Sequence, residues 1–502
     1  MACRNIVSIV STMQTQKLYH TKEKKSHPEK ISTYKPNNWK YDHLLSLTSQ
    51  YSEEKYKVKA EKLKEEVCCT FSDTHASPVV QLELIDTIDK LGLTSYFEVE
   101  IQKALENTII YSMKSSSNHY ATTALCFRQL LTEHGYNASQ DIVDRFTSNP
   151  LAWRVRWYDV RTHIINTTQN SNNTNIPMLL KLAKLNFNII QATHQNDLKD
   201  VIRWWRNLCI VEDLEFTRDR IVESFFYAVG IASEAQHGSI RKWITKVIQL
   251  VLIIDDVYDI YASLADVQQF TRAIEKWDPN EVEQLPECMQ ICFRALHATM
   301  EEICVEIQEQ KGGPSTLPYL KQGWVNFCKA LLVEATWHYE GHIPTLEDYL
   351  DNGWISSSGS LFSFHVIYCM TNKITNENLD LCKNCQEIIY HVSIIIRLCN
   401  DQGTSTAELE RGDVASSIIC YMQQENVSED VAREYIKSII LDSWKKINYH
   451  FNKLSTSHRK IVNHVINGAR MAHLMYHSGD GFGVQDGETR HQILLNLVQP
   501  IT

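Results

Sequence analysis

The stretch Val247 to Asp259, VIQLVLIIDDVYD, constrains the fold more than any other part of the chain. From Val247 to Ile254 only Gln249 is polar, so the segment belongs inside a core. Asp255, Asp256 and Asp259 then follow with no Lys or Arg beside them in sequence. Ionised carboxylates at the end of a buried segment are costly unless something compensates them. A divalent cation would do so. On a helix Asp255 and Asp259 stand one turn apart on one face, with Asp256 rotated by about 100°. Two hard oxygen ligands one turn apart suit Mg²⁺, which keeps most of its waters and takes one or two carboxylates plus substrate phosphate oxygens. The alternative is a helix emerging into solvent, with the acids as its wet end.

A second polar stripe lies at Asn400, Thr404 and Glu408, spaced i, i+4, i+8 in NDQGTSTAE. An amide carbonyl, a hydroxyl and a carboxylate at that spacing are again Mg²⁺-type donors. Arg397, three residues earlier, shares nearly the same face and could reach an anion held there. A solvated turn or helix cap accounts equally well for this stripe taken alone, since Gly403 weakens the helix and Asn, Thr and Ser favour caps. Upstream, Arg218 and Arg220 flank Asp219. They read either as a surface ion-pair cluster or as fixed cations for a diphosphate.

Only 17 Gly and 11 Pro occur among 502 residues, which leaves few turn-formers and favours long helices. The 3.6-residue period recurs over Glu53 to Glu66, Pro78 to Gly92, His119 to His134, Met178 to Gln191, Ile202 to Gly230, Ser239 to Ile254 and Trp324 to Tyr339. Alternating strand runs and internal repeats are missing, so the expected fold is all-α. The polar run Asn166 to Asn175 reads as the joint between an N-terminal helical domain, 39–175, and a C-terminal one, 176–502. Residues 1–38 form an acid-poor extension that fits a plastid transit peptide or a plain tail, leaving plastid and cytoplasm both open. The net charge of −10 argues against a nucleic-acid partner. No apolar run reaches membrane-spanning length. Fourteen cysteines without a secretory signal point to free thiols, and Cys382-x-x-Cys385 reads as neighbours on a helix face.

In order and spacing these motifs resemble the plant class I terpene synthases over nearly the whole chain. Asp255-Asp256-Val257-Tyr258-Asp259 is similar to their aspartate-rich motif, Asn400/Thr404/Glu408 to their second metal motif, and Arg218-Asp219-Arg220 to their RxR element. Trp204-Trp205, the run from Trp354 to Gly359, and Tyr476 with the loop Gly479 to Gly483 agree. The resemblance implies a truncated α-barrel-like N-terminal domain and a catalytic helical bundle that holds three Mg²⁺, with Mn²⁺ as a substitute. By the same resemblance Asp255, Asp259, Asn400, Thr404 and Glu408 hold metal with Asp256 in support. Arg218, Arg220 and Arg397, with Asp255, Asp259 and Asn400, hold a prenyl diphosphate, and the Gly479 to Gly483 loop is a lid. The DxDD element of class II chemistry is absent, and the second motif is not the aspartate-rich one of chain elongases.

Two departures refine that expectation. The places of the tandem Arg that precedes Trp39 in cyclic monoterpene synthases hold Glu29 and Lys30. That pattern resembles the g subfamily, which makes acyclic alcohols: linalool from geranyl diphosphate, nerolidol from farnesyl diphosphate. Between Arg145 and Trp153 a block on the order of fifty residues, about four average helices, is missing relative to the family. Thr147 to Leu151 alone bridges that gap, so a monomer with a tendency to self-associate is expected. The competing reading is a silent isoform that binds a prenyl diphosphate or a partner subunit without turnover; a sesquiterpene synthase with an olefin product is the other alternative.

Overall fold

The computed structural model describes residues 36–71, 78–114, 153–170, 176–210, 214, 217–261, 263–371, 373–411, 415–485 and 487–502. The described residues are helical throughout, with no strand, as the sparse turn-formers predict. The reading of His119 to His134 as a helix, and the bridge Thr147 to Leu151, lie outside them.

Local signals place most boundaries correctly. Pro78 opens the helix Pro78–Lys90, whose Leu82, Ile85 and Ile88 are buried, and Gly92 follows at φ +69°. Two boundaries differ. The helix Arg156–Asn170 runs into the polar stretch read as a loop. Its neighbours explain this: Val160 and Ile164 are buried, and packing on Ile176–Asn207 outweighs the weak propensity of Asn and Thr. Conversely Ile202 to Gly230 is not one helix. Ile176–Asn207 ends, and a new helix begins at Ile221, with Arg218, Asp219 and Arg220 just before it and outside any helix.

The C-terminal half is a bundle around the helix Gly238–Asp256. It packs on Ile221–Ile231, Ile176–Asn207 and Gly359–Met370, while Gln386–Arg411 packs on Glu429–Phe451 and Thr456–Tyr476. Ile244, Ile253 and Ile254 are fully buried, each stabilising by about 1.5–3 kcal/mol relative to exposure. Amides of one helix, with one arginine from the N-terminal half, hold the end of the chain. Asn188, Gln191 and Gln195 lie on one face of Ile176–Asn207. Their side chains donate to main-chain carbonyls of residues 495–501, Asn188 to Ile501 at 2.8 Å and Gln195 to Leu497 at 2.9 Å. Arg161 of the N-terminal half donates to Leu495 and Gln499 of the same segment. Among the described residues no helix is long and apolar enough to cross a membrane, and Cys382 and Cys385 are buried free thiols.

Candidate active site

The apolar run ends where the sequence predicts, but the helix changes character there. The α-helix stops at Asp256 and Val257–Tyr261 continues as a π-helix. Such widened turns recur at functional sites. Asp255 is partly exposed, Asp256 fully buried and Asp259 exposed, so Asp256 faces away from the other two, as its rotation requires.

The carboxylates are not left without cations. Arg218, 37 residues earlier, donates through Nη2 to Asp255 Oδ2 at 2.6 Å and through its main-chain N–H to Asp256 Oδ2 at 2.8 Å. Its Nε also stands 2.8 Å from Asp256 Oδ1, an ion pair without hydrogen-bond alignment. The sequence suggested unpaired acids because Arg218 is distant along the chain, not in space. Burial pushes Asp256 up to about 7 even though Arg218 pulls the other way, with the Asp255 charge adding to the rise. A fully enclosed carboxylate bound to Arg218 on both oxygens is a positioning group, whereas Asp255 and Asp259 remain open to a further ligand.

On the facing side, Gln386–Arg411 carries Arg397, Asn400 and Thr404. The Thr404 hydroxyl donates to the Asn400 carbonyl at 2.8 Å, leaving its oxygen lone pairs available. Glu408 lies on this helix, but its side chain is outside the described residues. Arg397 is enclosed and bonds Glu334 at 3.2 Å and Ser356 at 2.8 Å, with the Tyr349 ring 5.9 Å away. Burial opposes its charge, yet Glu334, Tyr349, Asp401 and Asp255 together hold its pKa far above the ordinary value. In this structure Arg397 therefore organises a buried network rather than facing an open anion site. Asp401 completes the network, accepting from Tyr349 OH at 3.1 Å and from the Ser417 N–H at 2.9 Å.

Tyr476 joins the two sides. Burial raises its hydroxyl pKa most, and Asp480, Arg218, a hydrogen bond with Asn400 and Asp255 all act on it. One phenol thus senses groups of both motifs and of the RxR element, which puts all three around one mouth. Above it lies the Gly479 to Gly483 loop. Arg220 is buried and donates through Nε to the Phe482 carbonyl at 2.6 Å, while Asp480 caps the Phe482 and Gly483 amides. A Cβ at Gly481 would stand 2.3 Å from the Met475 carbonyl, so only glycine fits this turn.

An N-terminal strap closes over the same place. Asn37 Nδ2 and Trp205 Nε1 donate to Asp219 at 2.9 and 2.8 Å, Tyr41 OH also bonds it, and Trp39 Nε1 donates to buried Glu223 at 2.7 Å. Asp219 is therefore the anchor of the strap, not a surface partner of its neighbouring arginines. Sequence reasoning passed over Asp219, Glu223, Glu334 and Asp401. Glu334, in the apolar run ALLVEAT, shows the same pattern of an acid in a buried stretch that marks Asp255.

The exposed oxygen donors Asp255 and Asp259, opposite Asn400 and Thr404 and bordered by Arg218, fit hard divalent cations such as Mg²⁺.

Comparison with known proteins bears directly on this arrangement. Residues 206–446 match the terpene synthase family metal binding domain, a range that contains Asp255, Asp259, Asn400, Thr404 and Glu408, and residues 38–155 match the terpene synthase N-terminal domain. An alpha-farnesene synthase of Ricinus communis is 44% identical over 539 residues, covering 93% of this chain and 94% of its own length. An (E,E)-alpha-farnesene synthase of Malus domestica is 41% identical, covering 94% of both. The Ricinus match takes up about 467 of the 502 residues here, 93%, so roughly seventy of its 539 positions face a gap in this chain. Limonene synthase with 2-fluorolinalyl diphosphate superposes with a TM-score of 0.86 at 31% identity, covering 93% of this chain and 99% of that one. Isoprene synthase from Populus x canescens, in complex with three Mg²⁺ ions and dimethylallyl-S-thiolodiphosphate, gives 0.81 at 32%, with the same coverage. With the motifs gathered at one mouth and the likeness running end to end, the chain belongs to the terpene synthase family.

Proposed function

We propose that this chain ionises an allylic prenyl diphosphate with Mg²⁺ and releases an acyclic product. The observation that carries this is the meeting of Asp255, Asn400 and Arg218 around Tyr476. Asp255, Asp259, Asn400, Thr404 and Glu408 would hold the metal, which when bound supplies Lewis-acid stabilisation of the departing diphosphate. The remaining work falls to the chain. Arg218 holds two carboxylates and so offers a fixed cation to an anion once Asp255 takes another partner. Arg220, through Phe482, couples the same segment to the loop that closes the mouth, and closure excludes water from a carbocation. Arg397 acts by holding Glu334 of the neighbouring helix Leu317–Glu340 against the helix that carries Asn400 and Thr404.

The names of the two farnesene synthases favour farnesyl diphosphate and termination by proton loss. Water capture to nerolidol or linalool is the second reading, favoured by the missing tandem Arg before Trp39 and by a 37% identical linalool synthase of Coffea arabica. A chain roughly seventy residues shorter over the match is what an N-terminal domain shortened near residues 147–152 would give. Incubation of the purified chain with geranyl and farnesyl diphosphate, with and without Mg²⁺, followed by gas chromatography and mass spectrometry, tests all of this. A metal-dependent acyclic olefin or alcohol supports the proposal, and its hydroxyl content decides the termination step. No product, beside an active version with the missing helices restored, identifies a silent isoform instead. Plastid residence is tested separately by an import assay on residues 1–38 fused to a reporter.

A further inference from the structure

At the opposite end of the helix Gly238–Asp256, three side chains outside the proposed catalytic machinery converge. Glu234 and His237 stand on the turn between Ile221–Ile231 and Gly238–Asp256, and His464 on the helix Thr456–Tyr476. One ligand-capable atom from each lies within 4.8 Å of the others, and all three residues are half-buried. Along the helix this place is roughly 27 Å from Asp255, so it is a separate locus.

Proton positions favour coordination. His464 Nδ1 lies 2.7 Å from the Ile231 carbonyl, which can only accept, so Nδ1 carries the hydrogen and Nε2 keeps its lone pair. His237 Nδ1 lies 3.1 Å from Glu234 Oε2, close to the separation of two ligands of one ion, so His237 would bind through Nδ1 in place of that hydrogen bond. His464 Nε2 has no hydrogen bond among the described residues. His464 shows the pattern of metal-ligating histidines, with the second ring nitrogen donating to a carbonyl.

The turn itself is fixed by five consecutive carbonyls, each accepting from a side chain. His464 bonds residue 231 and His194 bonds residue 233, both at 2.7 Å. Fully buried Arg241 takes residues 232, 234 and 235 at 2.7, 2.5 and 3.5 Å. Little ordering is left for a ligand to impose.

We propose that Glu234, His237 and His464 form a site for a divalent transition ion of the Zn²⁺ class, distinct from the Mg²⁺ centre. Two imidazoles and a carboxylate are a known zinc donor set, with water in the fourth position, whereas Mg²⁺ prefers oxygen ligands throughout. Tetrahedral ligands at about 2.0–2.1 Å from zinc stand about 3.4 Å apart, which His237 Nδ1 and Glu234 Oε2 at 3.1 Å already match, while His464, within 4.8 Å of both, has to draw in by at most about 1.4 Å. Binding clamps the turn to the helix whose far end carries Tyr476.

The test uses the full chain, stripped of metal and returned to millimolar Mg²⁺, then titrated with Co²⁺. One equivalent is expected to give the visible absorption of a tetrahedral site, to be displaced by Zn²⁺, and the Zn²⁺ form is expected to melt at a higher temperature. His237→Gln and His464→Asn should each weaken binding more than about tenfold. His464→Asn keeps an amide N–H for the Ile231 carbonyl. Asp255→Ala should leave the absorption intact. Absence of the tetrahedral band in the unmodified chain, or its survival in either histidine variant, overturns the proposal. If His464→Asn does not fold, His237→Gln on the turn decides alone.

Discussion

The two ends of the helix Gly238–Asp256 use the same device to different effect. At each end a buried arginine, one on the helix itself and one on the segment before Ile221, meets carboxylate oxygens. Arg241, at the N-terminal end, binds one carboxylate, Asp197, and three main-chain carbonyls, so most of its donors meet neutral partners that have nowhere to go. Arg218, at the C-terminal end, faces two carboxylates, and a third, Asp259, stands exposed nearby in sequence. Arg241 itself is saturated. The C-terminal end carries an excess of negative charge that an incoming cation relieves. The contrast shows how one helix serves as both anchor and candidate active-site wall: what decides is the charge of the partners, mostly neutral carbonyls around Arg241 and carboxylates around Arg218.

If that distinction holds, damage at the two ends separates chemistry from stability. Asp255→Ala should lower turnover by about a thousandfold or more, with the fold retained because Arg218 still pairs with Asp256. Product formation by gas chromatography and a melting curve measure the two effects. A variant that loses turnover only because it unfolds breaks the comparison. Arg241→Met should do the reverse, costing on the order of 3–5 kcal/mol by leaving Asp197 unpaired. Its folded fraction should retain turnover within about a factor of two, measured by denaturant unfolding and by activity per folded molecule.

A smaller effect concerns pH. His473 stacks on Trp153 and accepts from Trp444 Nε1 at 3.0 Å, and burial lowers its pKa to about 4. The unfolded chain binds this proton near pH 6.5, the folded chain only near 4. Stability is therefore complete above pH 6.5 and falls as pH drops towards 4, by about 2–3 kcal/mol from this group. Unfolding curves between pH 7 and 4.5 read the slope, and His473→Gln, which keeps an acceptor for Trp444, should flatten it. The smallest effect is expected at the strap. Asp219→Asn removes the charge that collects Asn37, Tyr41 and Trp205, and should raise KM by about tenfold or less with kcat nearly unchanged. A fall in kcat alone would place Asp219 in the chemistry rather than in closure.

What the sequence showed follows from the range of the forces involved. Helix content, the buried run before Asp255 and the oxygen stripe at Asn400 and Thr404 are matters of near neighbours, and periodicity exposes them. Pairing between distant segments is not. Arg218 with Asp255, Arg397 with Glu334 and Tyr41 with Asp219 depend on how helices cross, and a single sequence carries no trace of that. The end of the helix at Asn207 was hidden for a related reason: Ile210 and Leu214 beyond it are also buried and carry the apolar pattern on towards Ile221. The π-turn at Val257–Tyr261 has no simple sequence mark either, since Val257 and Tyr258 are buried as α-helical residues would be.

The amide row Asn188, Gln191 and Gln195 has a consequence for how the chain acquires its shape. These side chains wait for carbonyls that lie about three hundred residues downstream, as in Asn188 with Ile501. No contact nearer in sequence can substitute, because each amide satisfies main-chain groups of that one segment. Closing so long a loop is slow, and during synthesis the first partner emerges well before the second. The seating of residues 495–501 on Ile176–Asn207 is thus among the last steps of folding. Until then the buried amides of Ile176–Asn207 face water, and a chaperone that shields this face would act at the slowest step of folding.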